Sequence, residues 1–322
     1  MIRKIAFLVG LGFAGVLLLA LFSTVQGYVT DPPAPTAEHE FHLEPKALHL
    51  ASDGPLGRFD RQQLQRGFQV YKEVCSACHS MHLVAFRDLK QIGYTDAEVK
   101  AIASQWTTEV PSINPDTGEA ATRKATPADH FPSPYANETA ARAANNNALP
   151  PDFSLIVKAR EGGPAYVYSL VTGYANQAGY KNEKGVELLK EFPDVKTPDG
   201  LYFNPYFANL NIHMPPPLVS DGQVVYADGT KATKDQNAQD VAAFLMWAAE
   251  PKLESRHATG SVVLLFLLVA TVLAYFSYQN IWAEAKRTVA PKGPLDPENM
   301  AKRAEARVEG GVAGGPEPGS VH

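Results

Sequence analysis

The sequence predicts a mostly α-helical domain with long irregular loops, followed by one C-terminal transmembrane helix. Apolar residues recur at helical spacing over two stretches, residues 64–78 and 241–248, each with its own start or stop signal. The segments between them are rich in Pro, Asn and Ala-Thr. The third observation is Ala258 to Tyr278, a run of 21 residues without a charge. As a helix it spans a hydrocarbon core of about 30 Å.

Met1–Gly27 opens with Arg3 and Lys4, runs apolar from Ile5 to Phe22 and ends in Val25-Gln26-Gly27. In outline this is a signal peptide. The apolar run is long for one, so an N-terminal anchor is the alternative for residues 1–27, and both place the next domain outside the cytoplasm. Residues 28–53 are expected to be a Pro-rich, polar linker lying against something else, and 54–252 the periplasmic domain. There Asp60 with Gln63 resembles a capping box, and Leu64, Phe68, Tyr71, Val74 and Cys78 then recur at three- and four-residue steps.

Residues 96–104 suit a second, shorter helix, whereas 111–151 read mostly as loop with a helical turn near Glu138–Ala144. Tyr166–Thr172 is short and apolar, and Lys196–Pro217 is irregular. Asn237–Glu250 is the clearest helix, with Val241, Phe244, Leu245 and Ala248 on one face and Pro251 as its stop. The transmembrane helix is expected over 258–280. Tyr275, Tyr278 and Trp282 mark one end, and Lys286 and Arg287 put that end in the cytoplasm. Residues 283–322 read as a disordered cytoplasmic tail.

The formal charge is −5, which gives no basic face for nucleic acid. Arg3 and Lys4 lie in the leader, and from residue 283 six basic residues balance six acidic ones, so residues 28–282 carry −7. The partner this suits is basic. Glu183, Glu187, Glu191 and Asp194 are candidates for an acidic rim, although such runs also serve as a plain solvated face.

The chain has two cysteines, and two residues separate them. A zinc ribbon needs a second pair, and a thioredoxin-like pair opens a helix after a strand. Here the pair closes a helical stretch and His79 comes directly after it, which is the pattern of c-type haem attachment. In Cys75-Ser76-Ala77-Cys78-His79 the two thiols can each add to a haem vinyl group, and His79 can reach the iron. The domain therefore reads as a c-type cytochrome domain with one covalently bound haem c.

The other axial position separates electron carriers from haem enzymes, because a thioether raises the potential and an open site admits ligands. There are five methionines. Met1 is the initiator, Met81 is too close to His79, Met246 flanks a packed helix face, and Met300 lies across the membrane. Met214 remains, in Ile212-His213-Met214-Pro215-Pro216-Pro217-Leu218, where three prolines hold an extended backbone. His213 beside it is a competing imidazole, and a Pro-rich surface turn is the plainer reading of the segment.

Several stretches together resemble the cytochrome c1 family of the quinol–cytochrome c oxidoreductase, the bc1 complex. They are Arg66-Gly67-Phe68-Gln69-Val70-Tyr71, the run from Ala141 to Asp152 through Asn145-Asn146-Asn147, and Lys158 to Gly163. Phe203-Asn204-Pro205-Tyr206-Phe207, Met214-Pro215-Pro216-Pro217 and Phe244 to Pro251 come after them in order. The resemblance runs from about residue 54 to 285. It implies a haem domain on the positive side of the membrane with one C-terminal anchor. Met214 is then the sixth ligand, and Arg160 and Tyr166 bind a haem propionate.

The resemblance also implies its partners: cytochrome b, the Rieske iron–sulfur protein as donor and a cytochrome c as acceptor, within a dimeric complex. Asn147 stands where the family often has Gly, a substitution that a left-handed backbone tolerates. His213 is a second departure. Two other classes stay open on the haem motif alone: an anchored monohaem subunit of a terminal oxidase or nitric oxide reductase, and a haem enzyme or gas sensor with an open iron.

Overall fold

A computed structural model describes residues 2–32, 34–288 and 297–309. Helix α1 covers Ile2–Thr30 and α2 covers Ala37–Phe41. Helix α3, Arg61–Val70, runs on through a π-helical turn at Tyr71–Cys75. A 3₁₀ helix at Phe86–Ile92 precedes α4, Asp96–Ser104, and an antiparallel hairpin of β1, Val110–Ile113, and β2, Ala120–Arg123. Then come α5 (Glu138–Ala144), α6 (Gly163–Thr172), α7 (Leu188–Glu191) and the short pair β3 (Tyr202–Phe203) and β4 (Asn211–Ile212). Helices α8, Lys234–Ala249, α9, Leu253–Thr288, and α10, Pro297–Glu309, complete the order.

The body of the protein is organised by α8, against which both α3 and α6 pack. Asp60 caps α3, its carboxylate accepting from the Gln62 and Gln63 amides at 2.9 and 3.2 Å. Gln63 does not return the bond that would complete the expected box. The Arg61 side chain turns instead to Glu254, with both guanidinium nitrogens on its carboxylate.

Gly67 makes the α3–α8 crossing possible. A Cβ there would overlap the Asp240 carbonyl and stand 2.7 Å from the Phe244 Cβ. Next to it Arg66 donates Nε–H to the fully buried Asp240 carboxylate at 2.9 Å and bridges to Asp228 at 2.9 Å. A buried carboxylate needs such a partner to stay charged.

Aromatic rings fill the space around this crossing. Phe68 and Tyr71 of the α3 stripe meet Phe244 of α8 at 5.6 and 5.7 Å between ring centres. Trp106 and Phe131 pack edge-on at 5.0 Å beside them, with Phe86 4.5 Å from Phe131. A second, smaller cluster joins Ala37 and Phe41 of α2 to Leu188, Phe203 and Leu210. The stretch 28–53 thus lies against the body over much of its length. Lys46 also donates its amide to Ser169 Oγ and its Nζ to Thr172 Oγ1, both on α6.

Helix α4 covers the residues expected of the second, shorter helix, and it starts at Thr95 through a complete capping box with Glu98. Helix α8 starts three residues earlier than its apolar pattern, because Thr233 caps the Gln236 amide. The β1–β2 hairpin falls within the stretch expected to be loop. Its strands are only four residues each and mostly exposed, so no apolar alternation marks them.

Leu253–Glu284 of α9 is long and apolar enough to cross a membrane, and so is Lys4–Thr30. Within α9 the hydroxyls of Ser261 and Thr271 donate to carbonyls one turn back, which satisfies them without water. The tail expected from residue 283 is corrected over 283–288, where α9 continues, and over Pro297–Glu309, which is helical. Pro297 opens it, Ala, Glu, Lys and Arg make up its body, and Lys302 pairs with Glu298 at 3.3 Å. Residues 289–296 and 310–322 of that tail lie outside the described residues.

Replacing Gly67 by Ala should lower unfolding stability by about 1–3 kcal/mol through overpacking, read from guanidinium or thermal unfolding in detergent. Parent-like stability would mean that α3 and α8 do not touch at this point.

Candidate haem site

The site starts from the way α3 ends. The π-helical turn carries the Ser76 amide to the Tyr71 carbonyl at 2.8 Å, a five-residue step. The Cys78 and His79 amides then both turn back to the Cys75 carbonyl, at 3.1 and 2.9 Å. Cys75, Cys78 and His79 are thereby gathered into one tight turn at the end of a packed helix. Tyr71 anchors that turn from below, its buried hydroxyl donating to the His79 carbonyl at 3.2 Å.

Both cysteines are free thiols and partly buried. Burial, together with a smaller effect of the nearby Cys78 sulfur, pushes the Cys75 thiol up to about 12. At neutral pH it is a neutral thiol in a largely apolar setting. The Tyr135 hydroxyl lies within hydrogen-bond reach of the Cys78 sulfur and accepts from Asn145 Nδ2 at 2.9 Å.

His79 is buried, and its ring stacks on Phe153 at 3.9 Å between centres. Its Nδ1 lies 2.9 Å from the Pro151 carbonyl oxygen, which can only accept. Nδ1 therefore carries the proton, and Nε2 keeps its lone pair. Burial lowers the His79 pKa, against a smaller opposing effect from that hydrogen bond, so the ring is held neutral. A neutral imidazole with one nitrogen pinned to a carbonyl is the arrangement that suits a metal ligand.

Pro151 is held in place by its neighbour. Asp152 Oδ2 accepts from Ser80 Oγ at 2.8 Å and from the His82 amide at 3.0 Å, and it pairs with His82 Nδ1 at 2.7 Å. Oδ1 takes the Ser154 amide at 2.8 Å, and the Phe153 amide donates to the Ser80 carbonyl at 2.8 Å. The Pro150-Pro151-Asp152 stretch is in this way stitched to the turn beyond His79. The preceding turn has Asn146 and Asn147 at φ of +50 and +63°, so Asn147 does adopt the left-handed backbone.

The other candidates lie outside that turn. Met214 is half-buried, while His213 beside it is exposed. Arg160 is exposed and lies within hydrogen-bond reach of the half-buried Tyr166 hydroxyl, so these two come together. Of the acidic residues, Glu183, Glu191 and Asp194 are exposed, whereas Glu187 is engaged with Lys190 at 2.8 Å.

The donor set suits a c-type haem: two thiols and a neutral imidazole in one turn, with a thioether elsewhere in the chain. Leu149 and Leu155, flanking the stretch that holds His79, are 38% and 45% exposed. Apolar surface beside the donors is what a large flat cofactor would cover. Among the described residues no group of three or more His, Cys, Asp or Glu is placed to hold a free metal ion.

Sequence reasoning missed the Pro151 carbonyl, Phe153, Tyr135 and Asp152 as parts of this site. A backbone acceptor has no side-chain signal. The Asn-Asn-Asn-Ala-Leu-Pro-Pro-Asp run, noted only for its resemblance, was the available pointer.

The family model described as Cytochrome C1 family matches residues 50–285. Among curated proteins, cytochrome c1 of Rhodospirillum rubrum is 48% identical over 242 residues, covering 72% of this chain and 85% of that protein. Cytochrome b/c1 of Bradyrhizobium diazoefficiens is 45% identical over 240 residues, 72% of this chain and 34% of the relative. The mitochondrial cytochrome b-c1 complex catalytic subunit of Candida albicans is 40% identical over 277 residues, 86% of this chain and 89% of its own length.

Asp152 contributes to the pH dependence of this region. Burial raises its pKa, but the bonds from Ser154, His82 and Ser80 outweigh that and leave it lowered. Its contribution is therefore complete above the ordinary aspartate value of about 3.9 and is lost as pH falls through the lower folded value. Asp152→Asn should cost about 1–3 kcal/mol at pH 7 and flatten the acid limb of the stability curve. An acid limb as steep as the parent's would contradict this.

Proposed function

The chain belongs to the cytochrome c1 family, and from that premise we propose that it is the haem-bearing electron-transfer subunit of a bc1 complex. It carries single electrons from the Rieske iron–sulfur protein to a cytochrome c. The observation that carries the reading is the pinned, neutral His79 beside Cys75 and Cys78, in a chain that matches the family from residue 50 to 285. That length of agreement weighs against an oxidase or nitric oxide reductase subunit, which would share only the haem motif and anchor.

One haem c is the cofactor. Cys75 and Cys78 would hold it through thioether bonds, His79 Nε2 and the Met214 sulfur would ligate its iron, and Arg160 with Tyr166 would receive a propionate. When bound, the haem supplies a reversible one-electron couple.

The protein's part is to fix that couple. The Pro151 carbonyl orients the His79 ring and raises the basicity of Nε2. Phe153 covers one face of the imidazole, which keeps water from it. The exposed Arg160 offers charge-assisted hydrogen bonds to a carboxylate, with Tyr166 as a second donor. The exposure of His213 supports Met214 rather than a second histidine as the sixth ligand. No bond is made or broken by these side chains, and the chain serves an oxidoreductase as one of its subunits.

Cytochrome b is the neighbour that membership of a cytochrome b–c1 complex brings, a reading supported by the relative whose name joins the two. Helix α9 is the membrane anchor, since Leu253–Glu284 has the length and composition to span. Residues 54–252 form the periplasmic haem domain and the end beyond Lys286 is cytoplasmic, in accord with the positive-inside rule. Residues 1–27 serve export, whether cleaved or kept as a second anchor, and the complex is a dimer. The −7 over residues 28–282, with Glu183, Glu191 and Asp194 exposed, suits steering of a basic cytochrome c, an effect that fades with salt.

Met214→Leu should open the iron of the reduced protein to carbon monoxide and lower its midpoint potential, whereas the parent should resist carbon monoxide. If spectrum, midpoint and carbon monoxide binding all match the parent, Met214 is not the ligand.

A further inference from the structure

We propose that Tyr174 and Gln223 are positioning residues for the Met214 thioether, gripping its loop by two backbone carbonyls. This rests on Met214 as the sixth ligand and concerns what keeps it there.

Residues 215–217 are prolines and offer no backbone N–H. A loop of this kind cannot be tied down by its own amides over those residues, so its carbonyls must be held from outside. Two are. The Tyr174 hydroxyl donates to the Met214 carbonyl at 2.9 Å. Gln223 Nε2 donates to the Pro217 carbonyl at 2.9 Å, while its Oε1 accepts from the Val219 amide at 2.8 Å. On the other side of Met214, β4 pairs with β3 up to Ile212. Asn211 there accepts a 2.7 Å bond from Thr197 Oγ1. The segment that carries the thioether is thus fixed at both ends and at the ligand residue itself.

Tyr174 is a rigid post for this purpose. It is the second residue after α6, and α6 packs on α8. Between them Gly173 leaves no room for a side chain, because a Cβ would meet the Ser169 carbonyl at 2.5 Å and crowd the Tyr206 ring. The chain therefore leaves the helix in one direction, and the half-buried tyrosine leaves with it.

Freeing one hydrogen bond of this kind should weaken the hold on the ligand by about five- to tenfold. The test uses the full chain with haem attached, in detergent, in the ferric state at neutral pH. Imidazole is titrated against the far-red absorption band that reports thioether bound to ferric iron. Tyr174→Phe should keep the band but lose half of it at about five- to tenfold less imidazole than the parent. Gln223→Leu should move in the same direction, and it serves alone if Tyr174→Phe does not accumulate. Tyr168→Phe removes a hydroxyl on the same helix that bonds Asp235 at 2.6 Å rather than a carbonyl of the methionine loop, and should leave the midpoint unchanged.

Parent-like midpoints in both Tyr174→Phe and Gln223→Leu would overturn the inference. So would an equal shift in Tyr168→Phe, since that would be a general loosening. A parent chain without the band, titrating like Met214→Leu, would instead remove the ligand assignment and the inference with it.

Discussion

The structure depends on one close contact, the laying of α3 against α8 at Gly67 with no side chain between them. Because that crossing is tight, the Phe68 and Tyr71 rings are driven into the same core as Phe244 and Trp247, and the C-terminal end of α3 has little freedom. Cys75, Cys78 and His79 sit on that end. The π-helical turn adds one residue to the ordinary helical step just before the first cysteine, and the Tyr71 hydroxyl locks the turn from inside the core. Helix packing is in this way converted into the placement of three reactive side chains.

Helix α6 does the corresponding work on the side of the methionine. Tyr166, which Arg160 approaches, lies in its first half, and Tyr174 stands just beyond its end. Helix α6 rests on the same α8 that supports α3. Both proposed iron ligands are therefore referred to one scaffold helix, His79 through α3 and Met214 through α6. Electron carriers gain from such an arrangement, because a ligand that does not move keeps the potential fixed and leaves little to reorganise when the charge changes.

Much of this was legible in the sequence where a local rule operates. The apolar steps of Leu64, Phe68 and Tyr71 and the uncharged run within α9 each specify an element by themselves. So does the cysteine pair with its histidine. What could not be read depends on contacts between distant segments. Pro151 holds His79 from 72 positions away through a backbone oxygen, and Tyr174 holds Met214 from 40 positions away. The β1–β2 hairpin escaped for another reason, since short exposed strands bury no alternating face. The helix at Pro297–Glu309 was hidden by the Gly- and Pro-rich composition on either side of it, although its own residues favour helix.

All of this serves a haem that, in the proposed reading, the chain holds by two sulfurs. The most direct measurement is acid–acetone extraction of the purified full-length protein, with mass analysis of the peptide that contains Cys75 to His79. The account predicts that the colour stays with the protein and that this peptide carries the mass of one haem. Colour passing into the acetone, with both cysteines recovered as unmodified thiols, would contradict it.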